Sequence, residues 1–94
     1  MFTIRHIDNT VDNLYAADRV TFFDPRDVAG NTPTNPGVLG ALELRGNDGV
    51  FITGLWGGMA YVMNDRGSTV ARYDLPSAPD GYGNTVGRYV DSVA

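Results

Sequence analysis

His6 is the only histidine in the chain and there is no cysteine, so the side chains that most often do chemistry are nearly missing. No His/Cys set exists to hold a transition metal, and thiolate nucleophiles are excluded with the thiolate ligands. A Ser-His-Asp arrangement would have to join His6 to Ser68, at a turn, or to Ser77 or Ser92 in the C-terminal part. Asp8, Thr10 and Asp12 alternate like the opening of a calcium loop, but the glycine and bidentate glutamate of that loop are lacking. Gly81-Tyr82-Gly83 followed by Gly87 misses the dinucleotide fingerprint, because Val86 stands where a glycine is needed and no strand-then-helix context surrounds it. The absence of lysine removes Schiff-base chemistry and a P-loop lysine. A glycosidase pair needs two carboxylates about 5 to 10 Å apart in a cleft. Nearly all the acids here fall in turns or at strand ends, where Asp serves the backbone. The expectation is a protein that is not an enzyme and uses no cofactor or metal.

Binding chemistry is better represented. Trp, Tyr and Arg dominate interface hot spots because they bury much area at modest entropic cost. The candidate partner-binding residues are Arg26, Asp27, Trp56, Asp80, Tyr82 and Tyr89. Trp56 and Tyr61 also have a claim on the core, since a small domain needs its large rings there. The net charge of −4 disfavours a direct grip on nucleic acid, which needs a basic stripe that seven dispersed arginines do not form. An acidic surface suits a basic partner, whose association would slow with salt.

These residues must be positioned by β-structure. Ten of the eleven acids are Asp and neither Lys nor Gln occurs, so the strong helix formers are scarce. Twelve glycines and five prolines add to that bias. At 94 residues the chain is expected to be one small domain, 1–94, buried over about two-thirds of its unfolded surface. Without disulfides it fits a reducing compartment, and no apolar run approaches the ~20 residues that span a bilayer. MFTIRH lacks the basic-then-apolar order of a secretion signal, so the expected location is cytoplasmic, with no membrane partner.

Along the chain, Phe2/Ile4/His6 alternate with Thr3/Arg5/Ile7, which predicts a first strand with a drier and a wetter face. Asp8-Asn9-Thr10 before Val11, Leu14 and Tyr15 predicts either a short capped helix to about Ala17 or, in competition, one long strand from Leu14 to Phe23. The Pro, Gly and Asn-rich composition of residues 25–37 predicts a long loop, the first place to look for a partner contact. Leu42 and Leu44 alternate with Glu43 and Arg45 before the turn Gly46-Asn47-Asp48-Gly49, giving a hairpin at 42–53. After a bend at Gly54-Leu55-Trp56-Gly57-Gly58, a second clear hairpin spans 59–75 around Asn64-Asp65-Arg66-Gly67, a type I turn closed by a left-handed glycine. The tail, 80–94, adds a short edge strand or lies irregularly over the sheet. The predicted fold is mainly β: a small antiparallel sheet of five or six strands, curled or barrel-like.

The segment Tyr61-Val-Met-Asn-Asp-Arg-Gly-Ser-Thr-Val-Ala-Arg-Tyr-Asp-Leu75 resembles one recurring in small accessory proteins of tailed bacteriophages, of the form YVMN-x-x-G-x-T-V-A-x-Y-x-L. The resemblance implies a phage-encoded protein working inside a bacterial host. It would bind and inhibit a host protein or ribonucleoprotein complex, as anti-CRISPR and other anti-defence proteins do. The alternative is a phage structural or assembly protein that oligomerises through sheet edges. A monomer or homodimer is expected for the first.

Overall fold

The computed structural model describes residues 1–24, 39–78 and 88–93, which form eight strands and no helix. They are β1 (Phe2–Asp8), β2 (Val11–Ala17), β3 (Arg19–Asp24), β4 (Leu42–Arg45), β5 (Phe51–Leu55), β6 (Met59–Met63), β7 (Thr69–Asp74) and β8 (Arg88–Val93). All pairings are antiparallel. The first sheet runs β2-β1-β6-β7 and the second β5-β4-β3-β8. The mainly-β expectation holds, but the strands divide into two four-stranded sheets and do not close into a barrel.

Short turns decide this layout. Asn9 and Thr10 link β1 to β2, and Asn9 takes φ 53, a left-handed value that asparagine tolerates better than most residues. The chain therefore reverses before a helix can start, and β2 pairs with β1 along its whole length. The short helix expected to Ala17 is not formed. Of the three residues at helical spacing, Val11 and Leu14 are exposed and only Tyr15 packs against the core, so a helix here would have had little to bury. The competing strand from Leu14 to Phe23 is closer, yet it breaks at Asp18, where the chain leaves the first sheet for the second and the Asp18 N–H donates to the Arg45 carbonyl at 2.9 Å.

Both expected hairpins are present, and their turns share one construction. In 46–50 and in 64–68 the first N–H bonds the carbonyl four residues on, at 3.0 and 2.9 Å, and the glycine at the fourth position donates back to the first carbonyl. Gly49 and Gly67 have φ of 82 and 79, as a type I turn followed by a left-handed residue requires. Asn64 adds a side-chain cap, its Oδ1 accepting from the N–H groups of Arg66 and Ser68.

Gly54 and Leu55 belong to β5, so the expected bend narrows to Trp56-Gly57-Gly58, the second corner between sheets. A Cβ on Gly58 would lie 2.1 Å from the Ile7 carbonyl oxygen, so the corner rests on β1 with no room for a side chain. The core fills the space between the sheets. Ile4, Ala60, Val62 and Tyr73 come from the first sheet, and Val20, Phe22, Leu42, Leu44 and Leu55 from the second. Phe22 and Tyr73 stack across the gap with centroids 4.9 Å apart. Part of the tail forms β8, as expected of an edge strand, and pairs with β3.

Candidate binding surface

The outer face of the first sheet carries a mixture of aromatic, apolar and charged side chains. Inward positions of β1 and β6 are Ile4, His6, Ala60 and Val62, all buried, so Thr3, Arg5, Ile7, Met59, Tyr61 and Met63 face out. Register then builds rows across four strands. One row reads Leu14, Arg5, Tyr61, Arg72, and the next reads Asp12, Ile7, Met59, Asp74. An aromatic ring thus stands between two arginines, with methionine and isoleucine beside it, the residue types that dominate interface energetics.

Arg5 grips Asp12 in a two-pronged ion pair, Nε to Oδ1 at 3.0 Å and Nη2 to Oδ2 at 2.7 Å. That hydrogen bond and charge raise the Arg5 pKa, and the hydrogen bond from Arg5 holds the Asp12 carboxyl below its ordinary value. The pair is about half exposed, so it contributes little to stability and mainly fixes the direction of Arg5. Arg5, Ile7, Tyr61, Met63 and Thr69 line an open depression of about 280 Å³. Small-ligand sites are typically larger and enclosed, at about 300 to 1,000 Å³.

The second sheet uses its polar groups internally. Glu43 and Arg45 share the outward face of β4 as expected, yet Glu43 is only 2% exposed. Its charge is compensated by the Tyr89 hydroxyl, which donates to Oε1 at 2.5 Å, and by Arg45 Nη2 at 3.5 Å from Oε2. Burial, with the hydrogen bond to Glu43, pushes the Tyr89 pKa up to about 12. The Tyr73 hydroxyl crosses the core to donate to Asp91 Oδ2 at 2.6 Å, and its pKa is raised by burial first and by that bond second. These two tyrosine–carboxylate bonds tie β8 to both sheets. His6 is buried, its Nε2 at 2.9 Å from the Gly57 carbonyl, which marks it as a brace for the corner.

The structure does not gather the residues singled out from sequence into one site. Arg26, Asp27, Asp80 and Tyr82 lie outside the described residues, as does the loop 25–37. Trp56 is partly buried at the corner and packs against the core. Tyr89 is on β8 with about half its surface exposed, its ring edge-on to Phe23 at 5.2 Å. Tyr61 and Tyr73, on partner strands, face opposite ways: Tyr73 takes the core place and Tyr61 the outer face. Arg5, Leu14 and Arg72 were not among the candidates. The alternation in 2–7 placed Arg5 outward, but nothing local showed that β6 would pair beside it.

Among the described residues, no three His, Cys, Asp or Glu side chains converge to hold a metal ion, and no helix is long and apolar enough to cross a membrane. No known protein family matches the chain, and comparison with curated proteins and with solved structures finds no match either.

Proposed function

We propose that this protein is a non-enzymatic binding module of the phage accessory type, which inhibits a host protein or ribonucleoprotein complex by covering part of its surface. The observation that carries the reading is the outer face of the first sheet, where Tyr61 stands between Arg5 and Arg72 and is flanked by Ile7, Met59 and Met63. Such a face offers a partner apolar area at its centre and charge of both signs around it, the usual anatomy of an interface. The phage-like segment Tyr61–Leu75 supplies part of it, through Tyr61, Arg72 and Asp74.

The test is capture from a lysate of the bacterial host at low and at high salt, with wild-type protein and with Tyr61→Ala. The side chain of Tyr61 points away from the core, so the variant keeps the wild-type melting temperature to within a few degrees. One host protein or complex is retained by the wild type, is lost with Tyr61→Ala, and has its activity blocked by stoichiometric wild-type protein. Retention that is equal for both proteins would remove this face from the proposal. The second reading, a phage assembly protein, draws on the open edges of the two sheets. It requires a ring or filament in solution, whereas inhibition requires a monomer or dimer.

A further inference from the structure

Among the described residues the two sheets have four edge strands, β2, β7, β5 and β8, and three of them are interrupted. A register shift lies in the β6–β7, β4–β5 and β3–β8 pairings, and such bulges twist an edge away from pairing. The β1–β2 ladder has none. It runs from Phe2↔Ala17 to Asp8↔Val11 without a break. The β2 edge is also the longest of the four at seven residues, and Val11, Asp12, Asn13 and Leu14 are all exposed. Its one charged side chain, Asp12, is already paired with Arg5. Among the described residues β2 carries no bulge, no proline, no lysine and no unpaired charge to guard against edge-to-edge pairing.

We propose that β2 pairs with β2 of a second copy of this chain, antiparallel about a two-fold axis at Leu14. The register follows from the turn. A two-residue turn is closed by a pair that exchanges both backbone hydrogen bonds, so Val11, Asn13, Tyr15 and Ala17 direct their N–H and C=O groups to β1. Asp12, Leu14 and Ala16 direct theirs outward. Pairing at Leu14 sets Leu14 against Leu14 and Asp12 against Ala16 in both directions, which forms about six hydrogen bonds, with three donors and three acceptors from each strand.

Side chains and charge agree with this register. Leu14 is 66% exposed in the single chain and meets its own counterpart, a contact that removes apolar surface from both. The two Asp12 carboxylates stand four residues apart along the strand, about 13 Å, beyond the Debye length of about 8 Å at physiological salt. A second copy therefore fits without repulsion at the contact, although the whole chain carries −4. An axis perpendicular to the sheet keeps both outer faces on one side. The dimer is a continuous eight-stranded sheet carrying two Leu14-Arg5-Tyr61-Arg72 rows, and the isologous contact closes on itself with no further β2 edge left free. One short strand per copy places it among small interfaces, with a dissociation constant in the micromolar range.

The experiment is sedimentation equilibrium of the purified protein from about 1 µM to about 1 mM, a range chosen to bracket that affinity. The variants are Leu14→Pro and Leu14→Lys. Proline at 14 removes only an outward N–H, which an edge strand tolerates, whereas Asn13→Pro removes a bond to β1 and destabilises the fold. The wild type reaches dimer mass and stops there. Both Leu14 variants weaken association at least tenfold while keeping the wild-type circular dichroism. If Leu14→Pro fails to fold, the outward direction of that N–H is wrong and the register falls with it, and Leu14→Lys still reports on the edge. A wild type that stays monomeric throughout, grows beyond a dimer, or dimerises equally well as Leu14→Lys overturns the proposal. The measurement uses this protein alone, so its result is separate from the fate of the host-target reading.

Discussion

Gly58 and Gly67 provide an internal comparison that tests the corner between the sheets. Both hold left-handed backbone, φ 65 and 79, so alanine at either site meets the same conformational cost of about 1 to 2 kcal/mol. Losing the glycine's freedom in the unfolded chain offsets about 0.4 to 1 kcal/mol of that. At Gly67 nothing lies within 4 Å of an added Cβ, so Gly67→Ala should cost about 0.5 to 1 kcal/mol in all. At Gly58 the same atom falls 2.1 Å from the Ile7 carbonyl oxygen and 2.8 Å from the Asp8 Cα. Both neighbours are backbone, and Ile7 is held on either side by β2 and β6, so neither can yield without breaking ladder bonds. Overpacking of this kind adds about 1 to 3 kcal/mol, bringing Gly58→Ala to about 3 kcal/mol. For a domain of this size that is a fall in Tm of more than about 10 °C, against a few degrees for Gly67→Ala. Thermal and urea unfolding followed by circular dichroism and Trp56 fluorescence would measure both. Equal losses to within about 1 kcal/mol would show that the corner is not seated on β1 and that the sheets meet differently.

Three further outcomes follow from the tyrosine and ion-pair contacts. Tyr73→Phe keeps the stack on Phe22 and loses only the bond to Asp91, and because Asp91 is exposed the cost is about 1 kcal/mol in urea unfolding; no loss at all would mean that the bond does not hold β8. Tyr89 has a folded pKa raised above the ordinary 10.0, so its bond to Glu43 stabilises fully below pH 10 and the benefit declines as pH rises from 10 toward 12. Melting temperatures through that window should fall less for Tyr89→Phe than for the wild type. Asp12 has a folded pKa lowered from 3.8, so its contribution is present above that value and lost as pH falls through the depressed one. Followed by NMR, the Asp12 carboxyl should titrate below 3.8 in the wild type and move back toward that value in Arg5→Ala, and an unmoved midpoint would show that Arg5 does not hold the carboxylate in solution.

Local chemistry in the sequence determined the two hairpins at 42–53 and 59–75, because Gly49 and Gly67 stand at the positions where the turns need left-handed backbone. It also determined the β-rich class, through many glycines and few helix formers, and the facing of β1, through its alternation of apolar and polar residues. Tertiary structure decided the rest. Helical spacing at Val11, Leu14 and Tyr15 lost to a hairpin, since β1 offered a ladder along seven residues. Asp18 became a corner only because its N–H reaches Arg45 on a distant strand. Glu43 reads as a solvent-facing acid from its neighbours, and it is buried because Tyr89, 46 residues away, brings a hydroxyl to it. The row Leu14-Arg5-Tyr61-Arg72 likewise joins four strands whose pairing is non-local, so no stretch of sequence contains it. Turns are encoded by the few residues that form them, whereas surfaces and buried charges depend on which strands meet.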